Sequence, residues 1–418
     1  MLRVMVVLPF YGGSLPIGHY CVEGLKEAGC LVDLFDSPAF HSPLAAMKDL
    51  RVSLAHREFL ENNYLQVVSH AIVARAEAFQ PDLILAMAQA PVSRQALKRL
   101  RKNGIPTAMW FVEDFRLFPY WRSFAPYYDI FAVIQKEPFL SALGECGAPN
   151  VLYLPLAALP SLHRPMELSA EDRKEFGADV AFLGAGYPNR RAAFARMKKG
   201  NFKIWGTEWE EEAALAPYVQ RQGARISPEE AAKIYNATAV NLNLHSSVQD
   251  GVLVDNGDFV NPRTFELCAA GAFQLVDRRG LMPELFAEDE LAVFTDFEEM
   301  EGCIAHFLAH PEERQGYVDR GRARVLRDHS YGQRMQTLLD FAATVLPGFG
   351  SRKEPEAFAV LPESLRQDLA DLVESLGLPL NASFEDILTA VRQRQGVLSP
   401  LEASLLFLDE WKKQYSRK

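Results

Sequence analysis

Residues 257–277 read GDFVNPRTFELCAAGAFQLVD, and their punctuation spells out one complete helix-to-strand unit. Asn261 stands where a helix needs an N-cap, and Pro262 fits the first helical position, where a missing N–H costs nothing. Gly271 is the residue type that ends a helix in the left-handed region. The apolar run AFQLVD (272–277) then predicts a buried strand. A helix that feeds straight into a buried strand is half of a strand–helix–strand crossover, so the unit predicts a parallel sheet.

The same alternation extends in both directions. DVAFLG (179–184), NFKIWG (201–206) and TAVNLNLH (238–245) precede the unit, and LAVF (291–294) follows it, with helical patterns near 296–309, 311–328 and 330–346. A separate earlier series runs RVMVVL (3–8), LVDLF (31–35), DLILAM (82–87), PTAMWFV (106–112), DIFAVI (129–134) and VLYLP (151–155), with helices near 17–28, 52–79 and 92–103. Between the two series, the prolines of LPLAALPSLHRP (154–165) mark a linker. The fold class is therefore α/β: two Rossmann-like parallel-sheet domains, residues 1–158 and 159–346, facing each other across a cleft. A helical C-terminal extension occupies 347–418. Ligands of such sheets bind at the carboxyl ends of the strands, which places the functional site in the cleft.

Composition narrows the function classes. The chain has 418 residues, 49% hydrophobic and 23% charged, which excludes disordered and fibrous chains. No apolar run approaches the roughly 20 residues of a membrane span. A net charge of 44 − 54 = −10 disfavours nucleic acid as a partner. Cys21, Cys30, Cys146, Cys268 and Cys303 are scattered, as expected of reduced thiols, and the opening MLRVMVVLPFYGG reads as a strand and not as a signal peptide. A cytoplasmic protein is expected. Metal chemistry is not, since the nine histidines are dispersed and no D-x-D ends a strand.

Glu266 opens the second turn of the predicted helix, and a carboxylate so placed can accept both hydroxyl protons of a ribose 2′,3′-diol. Ala269 and Ala270, three and four residues on, are small enough to leave room for a ligand. Asp258, in the preceding loop with seven residues between it and Glu266, can face the same ligand.

This acidic-x₇-Glu element in the second of two Rossmann-like domains resembles the GT-B glycosyltransferases, and the C-terminal half is similar to their group-1 (family 4) class. The wording NPRTFELCAAGAFQLVDRR (261–279), preceded by YNATAVNLNLH (235–245), resembles the CgeB-like, spore-maturation branch. The resemblance is strongest over 179–340, weaker over 1–158, and does not reach 350–418. It implies a nucleotide-diphosphate sugar as donor substrate, with no cofactor. It also implies that Glu266 binds the donor ribose, that Asp258 (where the class carries Glu) lies near the transferred sugar, and that a basic residue near Arg190 meets the phosphates.

Other stretches supply further candidates. In GAGYPNRRAAF (184–194), Gly184 makes a tight turn after a strand and Asn189 is read as an N-cap, so Arg190 and Arg191 fall in the first helical turn. Cations there oppose the helix dipole unless an anion is bound between them. Arg263, beside Pro262, joins the donor-binding set. In FYGGSLPIGHY (10–20), Gly12 and Gly13 permit close backbone approach to a ligand and His19 is a candidate base. WFVEDFR (110–116) puts Glu113 and Asp114 at a strand's carboxyl end, as candidate bases for an acceptor hydroxyl. The aromatic run FPYWRSFAPYYD (118–129) is expected in core or lid packing. Asn243 and His245 are expected to line the cleft. The resulting expectation is a metal-independent glycosyltransferase with an acceptor of open class. A nucleotide-sugar 2-epimerase on the same fold and a non-catalytic nucleotide-sugar-binding protein stand as alternatives. The C-terminal helices are left for a partner or self-association.

Overall fold

The computed structural model of the chain describes residues 1–197, 200–247, 259–351, 362–378 and 382–415. The first sheet contains β1 (Arg3–Val7), β2 (Leu31–Phe35), β3 (Leu83–Met87), β4 (Thr107–Phe111), β5 (Ile130–Val133) and β6 (Val151–Tyr153). They pair in the order β2-β1-β3-β4-β5-β6, all parallel. The second sheet contains β7 (Ala178–Leu183), β8 (Phe202–Trp205), β9 (Thr238–Asn243), β10 (Gln274–Asp277) and β11 (Ala292–Phe294), parallel in the order β11-β10-β9-β7-β8. β1, β3 and β4 are buried at every position, which is why they read as unbroken apolar runs and not as alternating ones.

The two domains share one continuous core. Apolar side chains of β1, β3 and β4 belong to the same cluster as Phe265, Ala269, Val276 and Tyr331. The helix Tyr331–Val345, counted with the second domain on sequence, crosses back and packs on the helix Ser14–Glu27 of the first. Gly24 makes this approach possible, since a Cβ there would lie 2.6 Å from the Tyr331 carbonyl oxygen. Arg334, on the returning helix, donates from Nε to the Pro155 carbonyl in the linker at 2.7 Å.

The C-terminal helices have their own small apolar cluster around Val373, Ile387 and Val391. They dock on the first domain at the amino end of β1, the side away from the strands' carboxyl ends. Arg3 and Asp386 form an ion pair at 2.6 Å with both side chains 4% exposed, and Gln393 Nε2 donates to Asp33 at 3.2 Å. Asp386 also closes a capping box with Ser383 at the start of its own helix. Removing one partner of a buried pair strands the other charge, so Asp386→Ala is expected to lower unfolding free energy by about 3–5 kcal/mol. Urea unfolding checks this, and a loss below about 1 kcal/mol would mean that the contact holds nothing together.

Candidate functional site: a buried polar relay behind a cationic turn

The helix Pro262–Ala269 starts as its sequence dictates. Asn261 is the N-cap with extended backbone, its Oδ1 accepts from the Thr264 N–H, and Pro262 is the first helical residue. Gly271 follows the helix with φ +65°. Ala269 and Ala270 are fully buried, so they pack in the core and do not open room for a ligand as expected.

A buried polar relay fixes this helix start. The Asn261 backbone N–H donates to His245 Nε2 at 2.9 Å. That nitrogen must therefore be the unprotonated one, and Nδ1 carries the proton toward Asp277 Oδ1 at 2.6 Å. Asp277 also accepts from the His245 backbone N–H at 2.9 Å and pairs with Arg279 at 3.2 Å. Burial pulls the His245 pKa down to about 4, so the ring is neutral at pH 7. Asn243 completes the relay: its Oδ1 accepts from Asn261 Nδ2 at 2.7 Å, and its Nδ2 donates to Thr264 and to Gln274 at 2.9 and 3.0 Å.

These bonds correct the expectation that Asn243 and His245 line the cleft. Both are buried to 1% exposure or less with their polar groups engaged, so they position the helix start and face no ligand. Asn189 is likewise no N-cap. The helix Pro188–Arg196 begins two residues earlier than that cap would set, capped from Tyr187 without a side-chain bond. Asn189 is buried and holds the strand exit instead, donating to the His245 carbonyl at 2.8 Å and accepting from the Ser247 N–H at 2.9 Å.

Arg190 and Arg191 do fall in the first turn, and they diverge. Arg191 pairs with Glu211 at 2.6 Å. Arg190 is buried; it donates from Nε to the Leu244 carbonyl and from Nη1 to the Ala185 carbonyl, each at 2.9 Å. Its guanidinium lies 5.0 Å from the centre of the Phe182 ring, and that of Arg263 lies 5.6 Å from the same ring. Burial, followed by the charge of Arg263, lowers the Arg190 pKa to about 9. No carboxylate pairs with either guanidinium among the described residues, and Arg263 Nε is buried without a partner. Gly184, at φ +155°, turns the chain beside them; a Cβ there would stand 3.3 Å from Arg263 Nη2 and 3.1 Å from the Phe182 ring.

Glu266 projects from the same helix, 14% exposed. Two residues that the sequence did not single out address its carboxylate. Tyr235 donates to Oε2 at 3.0 Å, and His163 in the linker brings Nε2 to 4.0 Å from Oε1. His163 Nδ1 accepts from the Leu159 N–H at 3.0 Å, so Nε2 bears the proton that points at Glu266. Tyr20 of the first domain packs edge-on against the His163 ring, so the carboxylate lies where linker and both domains meet. Asp258 lies outside the described residues.

On the first domain, Gly12 has φ +103° and its carbonyl accepts from Arg225 Nη2 of the second domain at 2.7 Å. Gly13 adopts right-handed backbone at the start of the helix Ser14–Glu27, and His19 is exposed on that helix. Glu113 and Asp114 separate in role. Asp114 Oδ1 accepts from the Arg116 N–H at 2.8 Å and its carbonyl accepts from Leu117 and Phe118 in the turn that follows the strand. Glu113 accepts from Tyr120 at 2.8 Å and from the Gln89 amide, and burial raises its pKa. Trp121 and Tyr128 of the aromatic run are core residues.

Among the described residues, one group has metal-ligand chemistry: His306, His310 and Glu313. It sits at the far end of the helix Phe297–Ala309, which leaves the carboxyl end of β11 and so runs away from the cleft.

Residues 190–340 match the family described as glycosyl transferase-like. The chain is 26% identical to spore protein CgeB of Bacillus subtilis (strain 168) over 256 residues, covering 58% of this chain and 76% of that protein. Two solved structures share the fold over 82% of the chain. Sucrose-phosphate synthase from Thermosynechococcus elongatus has a TM-score of 0.57 at 15% identity, with 99% of it covered. Anabaena HepE in complex with UDP and glucose has a TM-score of 0.55 at 14% identity, with all of it covered. The chain thus has the GT-B fold, with a glycosyl transferase-like second domain. It is similar to spore protein CgeB and, in its second domain, to the glycosyl transferase-like family. No helix among the described residues is long and apolar enough to cross a membrane.

The relay sets a pH dependence. His245 and His329 both have pKa values lowered to about 4, chiefly by burial, against 6.5 in the unfolded chain. Their contribution is complete above pH 6.5 and is lost as pH falls toward 4, because the unfolded chain then binds the extra protons. Urea unfolding between pH 7 and 5 is expected to show falling stability, with a shallower slope in His245→Asn. Equal slopes would remove His245 from the relay.

Proposed function

We propose that the chain transfers a sugar from a nucleotide-diphosphate donor to an acceptor hydroxyl, without a metal ion. The observation that carries this reading is the pair Arg190 and Arg263, two guanidinium groups converging on one turn with no carboxylate between them among the described residues. Buried like charges repel unless an anion joins them, and a diphosphate supplies oxygens for both. Glu266, one helical turn beyond Arg263, is in place for the ribose diol. The Anabaena relative bound to UDP and glucose supports the same donor class.

The chemistry follows from these positions. The guanidinium groups and the Gly184 turn hold the diphosphate and stabilise the charge it gains as the bond to the sugar breaks. A divalent cation has no task left there. Glu113 takes the acceptor proton; its raised pKa brings it nearer neutrality, where a base is most effective. Asp258 is assigned to the transferred sugar, and His19 to the acceptor side. Contacts between the domains, Arg225 with Gly12 and Lys136 with Glu284, bring the two halves of the site together.

Calorimetric titration with UDP and with uridine tests the assignment. Arg190→Lys and Arg263→Ala are expected to weaken UDP roughly 10- to 150-fold, from the loss of about 1.5–3 kcal/mol in charge-assisted bonding, and to leave uridine unchanged. Glu266→Gln should weaken both, since an amide replaces an acceptor oxygen with a donor. Three folded variants binding UDP like the parent would overturn the reading. Turnover is expected to persist in excess EDTA, and an absolute requirement for Mn²⁺ or Mg²⁺ would refute the metal-free mechanism.

A further inference from the structure

On the side of the second domain away from the cleft, three ligand-type side chains meet at a junction of two helices, and none of the roles above uses them. His306 lies in the last turn of the helix Phe297–Ala309, and His310 caps that helix, so the two rings share one face. His310 is also the N-cap of the next helix, Pro311–Asp328, and Glu313 lies in the first turn of that helix. One ligand atom from each of the three lies within 4.8 Å of those of the other two. His306 and Glu313 are exposed and His310 is half-buried, so a cation has open access from solvent.

The geometry prepares the imidazoles to ligate. The His306 carbonyl accepts from the His310 N–H at 3.0 Å and from His310 Nδ1 at 2.8 Å. A carbonyl can only accept, so Nδ1 carries the proton and Nε2 keeps the lone pair that a metal takes. An outer hydrogen bond of this kind fixes tautomer and ring orientation in metal-binding histidines. The two rings stack with centroids 4.4 Å apart and planes 25° apart. His306 Nε2 lies 2.8 Å from Glu313 Oε2, and the two share one proton. A tetrahedral ion with bonds of about 2.0 Å spaces its ligand atoms about 3.3 Å apart, a difference that side-chain rotation at an open surface closes.

We propose that His306, His310 and Glu313 bind a divalent transition-metal ion of the Zn²⁺ class, which clips the two helices together. Two imidazoles and one carboxylate suit Zn²⁺ and disfavour Mg²⁺ and Ca²⁺, which take oxygen ligands. On binding, the ion bonds His306 Nε2, His310 Nε2 and a Glu313 oxygen, and the proton between His306 and Glu313 leaves for solvent. Water completes the fourth position. The clip spans a break that the chain itself enforces, since Pro311 has no N–H to continue the first helix. The second helix packs on the helix Pro262–Ala269, so the ion steadies the layer behind Arg263 and Glu266 and takes no part in the transfer.

The test is calorimetric titration of the full chain, first freed of metal with EDTA, with ZnCl₂ and with MgCl₂, followed by urea unfolding with and without Zn²⁺. One Zn²⁺ per chain is expected, with Mg²⁺ weaker by roughly a hundredfold or more, and Zn²⁺ should raise the urea midpoint. His310→Ala and Glu313→Gln should keep the circular dichroism of the parent, weaken Zn²⁺ by roughly tenfold or more and abolish the rise in midpoint. Three outcomes overturn the site: no Zn²⁺ binding by the parent, Mg²⁺ binding as tight as Zn²⁺, or Zn²⁺ affinity unaltered in either variant.

Discussion

The 2.9 Å hydrogen bond from the Asn261 N–H to His245 Nε2 is the constraint on which the second domain depends. It ties the N-cap of a helix to the chain just beyond β9, and through Asp277 to the end of β10. Asn243 adds a parallel tie through the Asn261 amide. Two strand ends and one helix start thus share a single buried polar system, in which each donor meets an acceptor. Such a system is stiff because every displacement breaks a bond that water cannot replace. Its product is the placement of Arg263 and Glu266, both on that helix.

Arg190 arrives at the same turn by another route, pinned through the Leu244 and Ala185 carbonyls. Two guanidinium groups from separate helices then flank one phenyl ring. This arrangement opposes the helix dipole and places like charges together, so on stability grounds alone it is unfavourable. Local unfavourable choices of this kind cluster where a protein binds something. Gln89, in the first domain, makes the same point with its left-handed backbone at φ +64°.

Much of the fold was legible because its signals are local. Asn261-Pro262 and Gly271 bracket a helix within eleven residues, and buried parallel strands announce themselves as apolar runs. The site was legible only in part. Glu266 and Arg190 sit at helix starts that the sequence marks, yet Glu113 draws its partners Tyr120 and Gln89 from 7 and 24 positions away. The partners of Asn243 and His245 come from residues 16 to 32 positions away, a distance over which no periodicity informs. Tyr235 and His163 meet Glu266 from a helix and a linker that only the tertiary fold brings together. The return of the helix Tyr331–Val345 to the first domain has no local sequence signal for the same reason.

In the reading proposed above, the 184–190 turn and the 262–269 helix form an anion site for a nucleotide diphosphate. The most direct measurement is calorimetric titration of the unaltered protein with uridine, UMP and UDP at one fixed salt concentration. Affinity is expected to rise roughly a hundredfold or more from uridine to UDP, because the diphosphate meets both guanidinium groups. Affinities for the three within a factor of about three would contradict it.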